Sequence, residues 1–99
     1  MPSTSSLAIF PSLRGQRVFV TGGGTGIGAA IVTAFAEQGA QVAFVDVAQA
    51  ESEALANSLK EAGHPAPWWR VCDVRDVAAL KTTIDAATAE LGDFATLVN

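Results

Sequence analysis

Residues 17–35, RVFVTGGGTGIGAAIVTAF, decide the fold of this chain. Their first five residues are mostly β-branched or aromatic, which predicts a short strand that ends at a glycine cluster. After the cluster, Ile27, Ile31, Ala34 and Phe35 recur at helical spacing, and Gly39 is the expected left-handed end of that helix. The stretch therefore predicts a strand, a glycine-rich turn and an amphipathic helix.

The same alternation continues to the end of the chain. Residues 41–46, 68–72 and 94–98 are apolar runs that predict three further strands. A helix over 48–62 should bury Leu55, Leu59 and Ala62 and end at Gly63. A third helix, capped by Asp76 and ended by Gly92, should bury Val77, Leu80, Ile84, Ala87 and Leu91. A β-α-β-α-β-α-β order with short connections predicts the α/β class.

The glycine cluster has the composition of a dinucleotide-binding turn. Gly22, Gly26 and Gly28 fit G-x-x-x-G-x-G, whereas Gly24, Gly26 and Ala29 fit G-x-G-x-x-A. In either register the glycines allow a tight turn, a close approach to a pyrophosphate and close helix–strand packing. The phosphate-binding loop of nucleoside triphosphatases ends in Gly-Lys-Ser/Thr. No lysine precedes Lys60 in this chain, so the glycine cluster is not such a loop. The alternative is a flexible strand–helix turn that binds no ligand.

Asp46 follows the second strand, 18 residues after Gly28. In a doubly wound, Rossmann-type parallel sheet, an acid at this place binds the adenosine ribose hydroxyls. Its charge disfavours a 2′-phosphate, and no Lys or Arg lies between Arg17 and Lys60 to bind one, so the sequence predicts NAD. The alternative is that Asp46 is an acidic residue in the loop before the next helix and binds no ribose. The sheet order should be 3-2-1-4, with the nucleotide between strands one and four.

These residues resemble the short-chain dehydrogenase/reductase family. The turn matches the family pattern T-G-x-x-x-G-x-G, which favours the register on Gly22, Gly26 and Gly28. The resemblance implies that Asp73 and Val74 contact adenine and that Asn99 begins an N-N-A-G motif. The residues expected to bind the cofactor are Gly22, Gly24, Thr25, Gly26, Ile27, Gly28, Asp46, Asp73, Val74 and Asn99.

The catalytic residues of that family are absent from this chain. Members use a Ser and a Y-x-x-x-K pair, but the 99 residues include no Tyr, and neither Lys60 nor Lys81 lies in such a motif. The chain alone is therefore expected to be inactive. Residues 9–17, IFPSLRGQR, resemble the start of NAD-dependent sugar dehydrogenases of the family, such as D-xylose 1-dehydrogenases, which oxidise an aldose at C1 to its lactone.

Composition excludes several other classes of function. The 99 residues are 49% apolar and 16% charged, as expected for one globular domain, and the net charge of −4 predicts no nucleic-acid or membrane partner. A single cysteine, Cys72, excludes an intrachain disulfide, and no metal site is predicted. The N-terminus lacks the pattern of a secretory signal, so the expected location is the cytoplasm.

The expected organisation is a flexible leader over 1–12 and the N-terminal part of a dinucleotide-binding domain over 13–99, cut within strand four. The parent should be an NAD-dependent oxidoreductase acting on an alcohol, carbonyl compound or sugar, and the family implies a homotetramer. One alternative is a dinucleotide-binding sensor without catalysis. Another is a complete protein of 99 residues, with weak cofactor binding and an exposed apolar edge.

Overall fold

The computed structural model describes residues 14–98. The predicted leader over 1–12 and the predicted cofactor residue Asn99 lie outside the described residues. Strands and helices alternate, as the sequence predicts. In chain order they are β1 (Arg17–Thr21), α1 (Gly26–Glu37), β2 (Gln41–Asp46), α2 (Gln49–Glu61), β3 (Trp68–Val71), α3 (Val77–Leu91) and β4 (Thr96–Val98).

The four strands form one parallel sheet in the order β3-β2-β1-β4, which confirms the predicted order. Phe19 in β1 is paired with Ala43 on one side and Leu97 on the other, and Ala43 is paired with Trp68. Parallel neighbours direct all four carboxyl ends to one edge of the sheet. The glycine turn after β1 and Asp46 at the end of β2 therefore lie side by side.

Each face of the sheet has its own apolar core. On one face, α1 and α2 pack against β1 and β2, with Val18, Phe44 and Val32 completely buried. On the other, α3 packs through Ala87 onto Phe19. The central strands are thus covered on both sides, which is why β2 is an almost continuous apolar run.

Local signals in the sequence fix the helix ends. Gly39, Gly63 and Gly92 have φ values of +86°, +90° and +99°, a region that favours glycine, and each follows one of the helices. At the start of α3, the side chain of Asp76 accepts a hydrogen bond from the N–H of Ala79 (3.0 Å), which confirms the predicted N-cap.

Some predicted core positions are wrong. Ile27 is 82% exposed and Val77 is 73% exposed, because each lies in the first turn of its helix, beyond the packed centre of the sheet. Ala34 and Ala62 are also exposed. In α1 the buried side chains are instead those of Val32 and Ala36, and in α2 they include Ser52 and Ala56.

Two strands and one helix are shorter than predicted. Helix α2 covers 49–61 rather than 48–62, β3 ends at Val71 and β4 begins at Thr96. Cys72 still donates its N–H to the carbonyl of Asp46 (3.2 Å), and Phe94 packs edge-on against Phe19 with ring centroids 5.4 Å apart. Cys72 therefore still bonds to the end of β2, and Phe94 packs on β1 before β4 begins.

Candidate cofactor-binding site

The glycine turn is held against the neighbouring strand. The N–H groups of Gly22 and Gly23 both donate to the carbonyl of Val45, at 2.8 and 3.1 Å. Gly22 and Gly26 have φ values of +69° and +56°, where a side chain other than glycine is strained. The turn therefore has a defined path between β1 and α1 even without a ligand.

Three other glycines are required by close approach. A Cβ on Gly28 would overlap the carbonyl oxygen of Gly22, which supports the predicted role of this glycine in helix–strand packing. A Cβ on Gly23 would lie 2.6 Å from the Cβ of Phe44, and one on Gly24 would overlap the hydroxyl of Ser52. The requirement at Gly28 agrees with the register Gly22, Gly26 and Gly28.

The amino end of α1 offers free hydrogen-bond donors. Its N-cap, Thr25, is extended (φ −142°, ψ 160°), its side chain makes no capping bond, and the first turn contains no acidic residue. The first intrahelical bond runs from the N–H of Ala29 to the carbonyl of Thr25 (3.1 Å). The N–H groups of Gly26, Ile27 and Gly28 come before it, so they can bind an anion. This cradle fits a pyrophosphate.

Asp46 is fixed beside the turn. It is 9% exposed, its Oδ2 accepts from the N–H of Gly24 and its Oδ1 accepts from the N–H of Ala48, both at 3.0 Å. Each carboxylate oxygen keeps a further lone pair for a ligand hydroxyl. The two backbone donors therefore orient the carboxylate and connect it to the glycine turn.

A surface cavity of about 430 Å³ lies at the carboxyl ends of β1, β2 and β3. It brings together four of the predicted cofactor residues, since Gly22 and Asp46 share it with Asp73 and Val74. The complete lining is Thr21, Gly22, Asp46, Val47, Cys72, Asp73, Val74 and Arg75. Gly24 adjoins this cavity through its bond to Asp46, and Thr25 and Ile27 are exposed at the start of α1.

Arg75 holds the carboxylate of Asp73. Its Nη2 lies 2.7 Å from Oδ2, its Nε lies 3.1 and 3.2 Å from the two oxygens, and its backbone N–H donates to Oδ1 at 2.9 Å. The side-chain bond from Arg75, followed by the backbone bond, lowers the pKa of Asp73 from 3.8 to about 2. Because the pair is exposed, its stabilisation of the fold is small; it is present above pH 3.8 and is lost as pH falls through about 2.

A second surface cavity, of about 510 Å³, lies along the outer edge of β3. It is lined by residues 67–71 and contains no predicted site residue. Here the guanidinium of Arg70 lies over the ring of Trp68, with its carbon 4.2 Å from the ring centroid. Although this cavity is larger, it contains neither a carboxylate nor a glycine turn, so the candidate site is the smaller one.

Sequence reasoning missed Ser52, which lies behind the glycine turn. Ser52 is completely buried, and its hydroxyl has no hydrogen-bond partner among the described residues. Helical spacing was the available signal, since Ser52 lies three, four and seven residues before Leu55, Ala56 and Leu59, on the face of α2 that packs on the core, whereas Ser58 is exposed. Arg75, which the sequence alone did not single out, likewise lines the candidate cavity.

Ser52→Ala is expected to raise the free energy of unfolding by about 1 kcal/mol, because it removes a buried hydroxyl without a partner. Urea unfolding of the full-length protein measures the effect. Ser58→Ala is the matched control, since it changes an exposed serine on the same helix and gains only the helix propensity of alanine. A loss of stability in Ser52→Ala would contradict the prediction and show that the hydroxyl is satisfied in solution.

Among residues 14–98, no helix is long and apolar enough to cross a membrane. Within the same range, no group of three His, Cys, Asp or Glu side chains is placed to hold a metal ion. The arrangement at the edge of the sheet is thus an anion cradle, a fixed carboxylate and an adjoining cavity, which suits a nucleotide with vicinal hydroxyls.

The sequence model of the short chain dehydrogenase family matches residues 16–99. The chain belongs to this family. Short-chain dehydrogenases use nicotinamide cofactors, so the coarser part of the cofactor prediction is confirmed. The matched region contains every described element, from β1 to β4.

Two curated short-chain dehydrogenases are similar to the chain over most of its length. It is 50% identical over 90 residues to a probable galactose dehydrogenase of Rhizobium meliloti, covering 91% of this chain and 35% of the relative. It is 48% identical over 95 residues to a D-xylose 1-dehydrogenase of Caulobacter vibrioides, covering 95% and 36%. The chain thus spans about a third of the length of these relatives.

Solved structures agree with the fold. A short-chain dehydrogenase/reductase of Serratia marcescens is 39% identical with a TM-score of 0.83, and the match covers 88% of this chain and 36% of that one. A citronellol catabolism dehydrogenase of Pseudomonas aeruginosa is 36% identical with a TM-score of 0.84, and the match covers 92% and 38%. The predicted Rossmann-type fold is therefore confirmed for the described part of the chain.

Proposed function

We propose that this chain is the NAD-binding part of an oxidoreductase that transfers hydride between nicotinamide and an alcohol or carbonyl carbon. The observation that carries the proposal is the buried carboxylate of Asp46, which is held by the N–H groups of Gly24 and Ala48 next to the glycine turn. An acid oriented in this way can accept bonds from two ribose hydroxyls.

Each part of the site has a separate binding role in this proposal. The N–H groups of Gly26, Ile27 and Gly28 bind the pyrophosphate, helped by the helix dipole. Asp46 binds the adenosine ribose, and its negative charge opposes a 2′-phosphate at the same place. The cavity beside Asp73 and Val74 accepts the adenine ring. Asn99, outside the described residues, is proposed to lie further along the cofactor.

The chemistry is divided between the cofactor and residues outside this chain. When bound, NAD supplies a hydride acceptor at the nicotinamide C4. The residues of this chain bind and orient the adenosine half, and none of them is assigned a proton-transfer role, since the 99 residues include no Tyr. We therefore expect the isolated chain to be inactive and propose that the Ser, Tyr and Lys lie elsewhere in the full-length protein.

The substrate we propose is an aldose. One relative is named a probable galactose dehydrogenase and another a D-xylose 1-dehydrogenase, at 50% and 48% identity. Oxidation at C1 of a cyclic aldose gives the lactone: the C1 hydrogen leaves as hydride to the cofactor and the hydroxyl proton leaves to a base. We further propose a homotetrameric, cytoplasmic enzyme, in which the buried thiol of Cys72 remains reduced.

Two measurements on the full-length protein test the proposal. Calorimetric titration should show tighter binding of NAD than of NADP, and NADH absorbance should increase when D-galactose or D-xylose is added with NAD. Equal or tighter binding of NADP would refute the role of Asp46. A dinucleotide-binding sensor would instead be indicated if the protein bound NAD but oxidised no alcohol or sugar, and if the full-length sequence lacked the catalytic Ser and the Y-x-x-x-K pair.

A further inference from the structure

The candidate cavity contains one cation among its lining residues. Within the described part of the chain, Arg75 is the only Lys or Arg in a lining that also includes the carboxylates of Asp46 and Asp73. Arginine is the side chain best suited to bind a phosphate, because its planar fork makes two parallel hydrogen bonds. A ligand carrying a 2′-phosphate would therefore have one candidate partner at this cavity.

One edge of that guanidinium is already engaged. Arg75 presents Nε and Nη2 to the carboxylate of Asp73, at 2.7–3.2 Å, and its backbone N–H makes a further bond to the same group. The two residues are only two positions apart, so the carboxylate is always close to the guanidinium. Asp73 is ionised at neutral pH, as an aspartate with the ordinary pKa of 3.8 also is, and the bonds from Arg75 lower this pKa further, to about 2.

We propose that the Asp73–Arg75 pair is a second determinant of NAD specificity, in which Asp73 holds the Nε–Nη2 edge of Arg75, the one Lys or Arg in the described lining of the cavity, and so keeps it from a 2′-phosphate. This inference rests on the proposed NAD function. It adds to the role of Asp46, which repels the phosphate directly. The two carboxylates and the guanidinium together leave the cavity with an excess of one negative charge.

The pair is suited to this role because it is exposed. The side chains of Arg75 and Asp73 are 88% and 40% accessible, so the pair contributes little to folding, and either member can be changed without opening the core. Once Asp73 is neutral, the guanidinium is free to turn toward an incoming phosphate. Neutralising Asp73 and removing Arg75, singly and together, therefore distinguishes two causes of tighter NADP binding: weaker repulsion of the 2′-phosphate by Asp73, and a new bond from Arg75 to that phosphate.

A double-mutant cycle on the full-length protein tests the proposal, with calorimetric Kd values for NAD and NADP as the readout. Asp73→Asn keeps the size of the side chain and removes its charge. We expect it to lower the ratio of the NADP Kd to the NAD Kd about tenfold, the worth of one bond to a charged group. Arg75→Gln alone should not lower the ratio, because it removes the only cation of the described lining and leaves the charges of Asp46 and Asp73 uncompensated.

The decisive variant is Asp73→Asn combined with Arg75→Gln. If Arg75 is the phosphate partner, the double variant returns to nearly the wild-type ratio. The proposal is overturned if Asp73→Asn leaves the ratio of the two Kd values unchanged. It is also overturned if the double variant keeps the lowered ratio of Asp73→Asn, because the change would then come only from weaker repulsion of the 2′-phosphate. Wild-type protein that binds NADP as tightly as NAD would refute the proposed function instead, and the cycle would still report on Arg75. Thermal unfolding of each variant checks that it is folded.

Discussion

Gly28→Ala is expected to destabilise the full-length protein by about 3 kcal/mol, at the upper end of the cost of overpacking. The added Cβ would overlap the carbonyl oxygen of Gly22, and both partners are backbone. Relief requires that α1 move away from the end of β1, which would also disturb the bonds from Gly22 and Gly23 to the carbonyl of Val45. The thermal unfolding midpoint should fall by roughly 6–12 °C.

Gly63→Ala is the matched control for this substitution. Gly63 has a φ of +90°, and a Cβ there would meet no atom within 4 Å, so its cost is only that of the left-handed conformation, about 1–2 kcal/mol. Gly28→Ala should therefore be clearly the worse of the two variants. NAD binding should also weaken in Gly28→Ala and remain unchanged in Gly63→Ala. Equal midpoints for the two variants would contradict the close approach seen at Gly28.

The sequence predicted the elements that depend on local signals. The order of strands and helices follows from runs of apolar residues and from glycines that end helices, and Gly39, Gly63 and Gly92 all have positive φ values at the expected helix ends. The cap at Asp76 is also local, since it involves a donor three residues later. The sheet order 3-2-1-4 follows from the doubly wound fold that the glycine turn indicates, since the alternation of strands and helices alone does not decide on which side of the sheet the fourth strand lies.

Contacts between distant parts of the chain could not be predicted in the same way. The spacing of Ser52 with Ala56 and Leu59 indicates its burial, but no spacing in the sequence encodes how closely its hydroxyl approaches Gly24. The exposure of Ile27 reflects where the first turn of α1 lies relative to the sheet, although its position fits the helical period. Periodicity gives the helix, but the sheet decides which part of the apolar stripe is covered.

The candidate site falls between these two cases. Asp46 was predicted from its place after the second strand, and the structure adds the two backbone donors that orient it. The pairing of Asp73 with Arg75 is short in sequence, yet its meaning depends on the cavity that both residues share with Asp46. The role proposed for Arg75 therefore depends on Asp46, a neighbour from another strand, and the position of Arg75 in the sequence does not show this.

Asp46→Asn is expected to weaken NAD binding by roughly tenfold to a hundredfold, the range for losing hydrogen bonds to a charged group. The Asp46 carboxylate accepts from the N–H groups of both Gly24 and Ala48. An asparagine has one acceptor oxygen, so its amide NH₂ must face one of these two donors. The side chain then loses its orientation, and the ribose hydroxyls lose their charged acceptor.

The same substitution should weaken NADP binding less than NAD binding, because it also removes the charge that opposes a 2′-phosphate. Titrations of both dinucleotides against the full-length protein measure this difference. Asp85→Asn, which changes an exposed acid on α3 by the same chemistry, is the matched control and should alter neither affinity. If Asp46→Asn weakened both dinucleotides by the same factor, Asp46 would be a structural link between the glycine turn and α2 and not a determinant of cofactor choice.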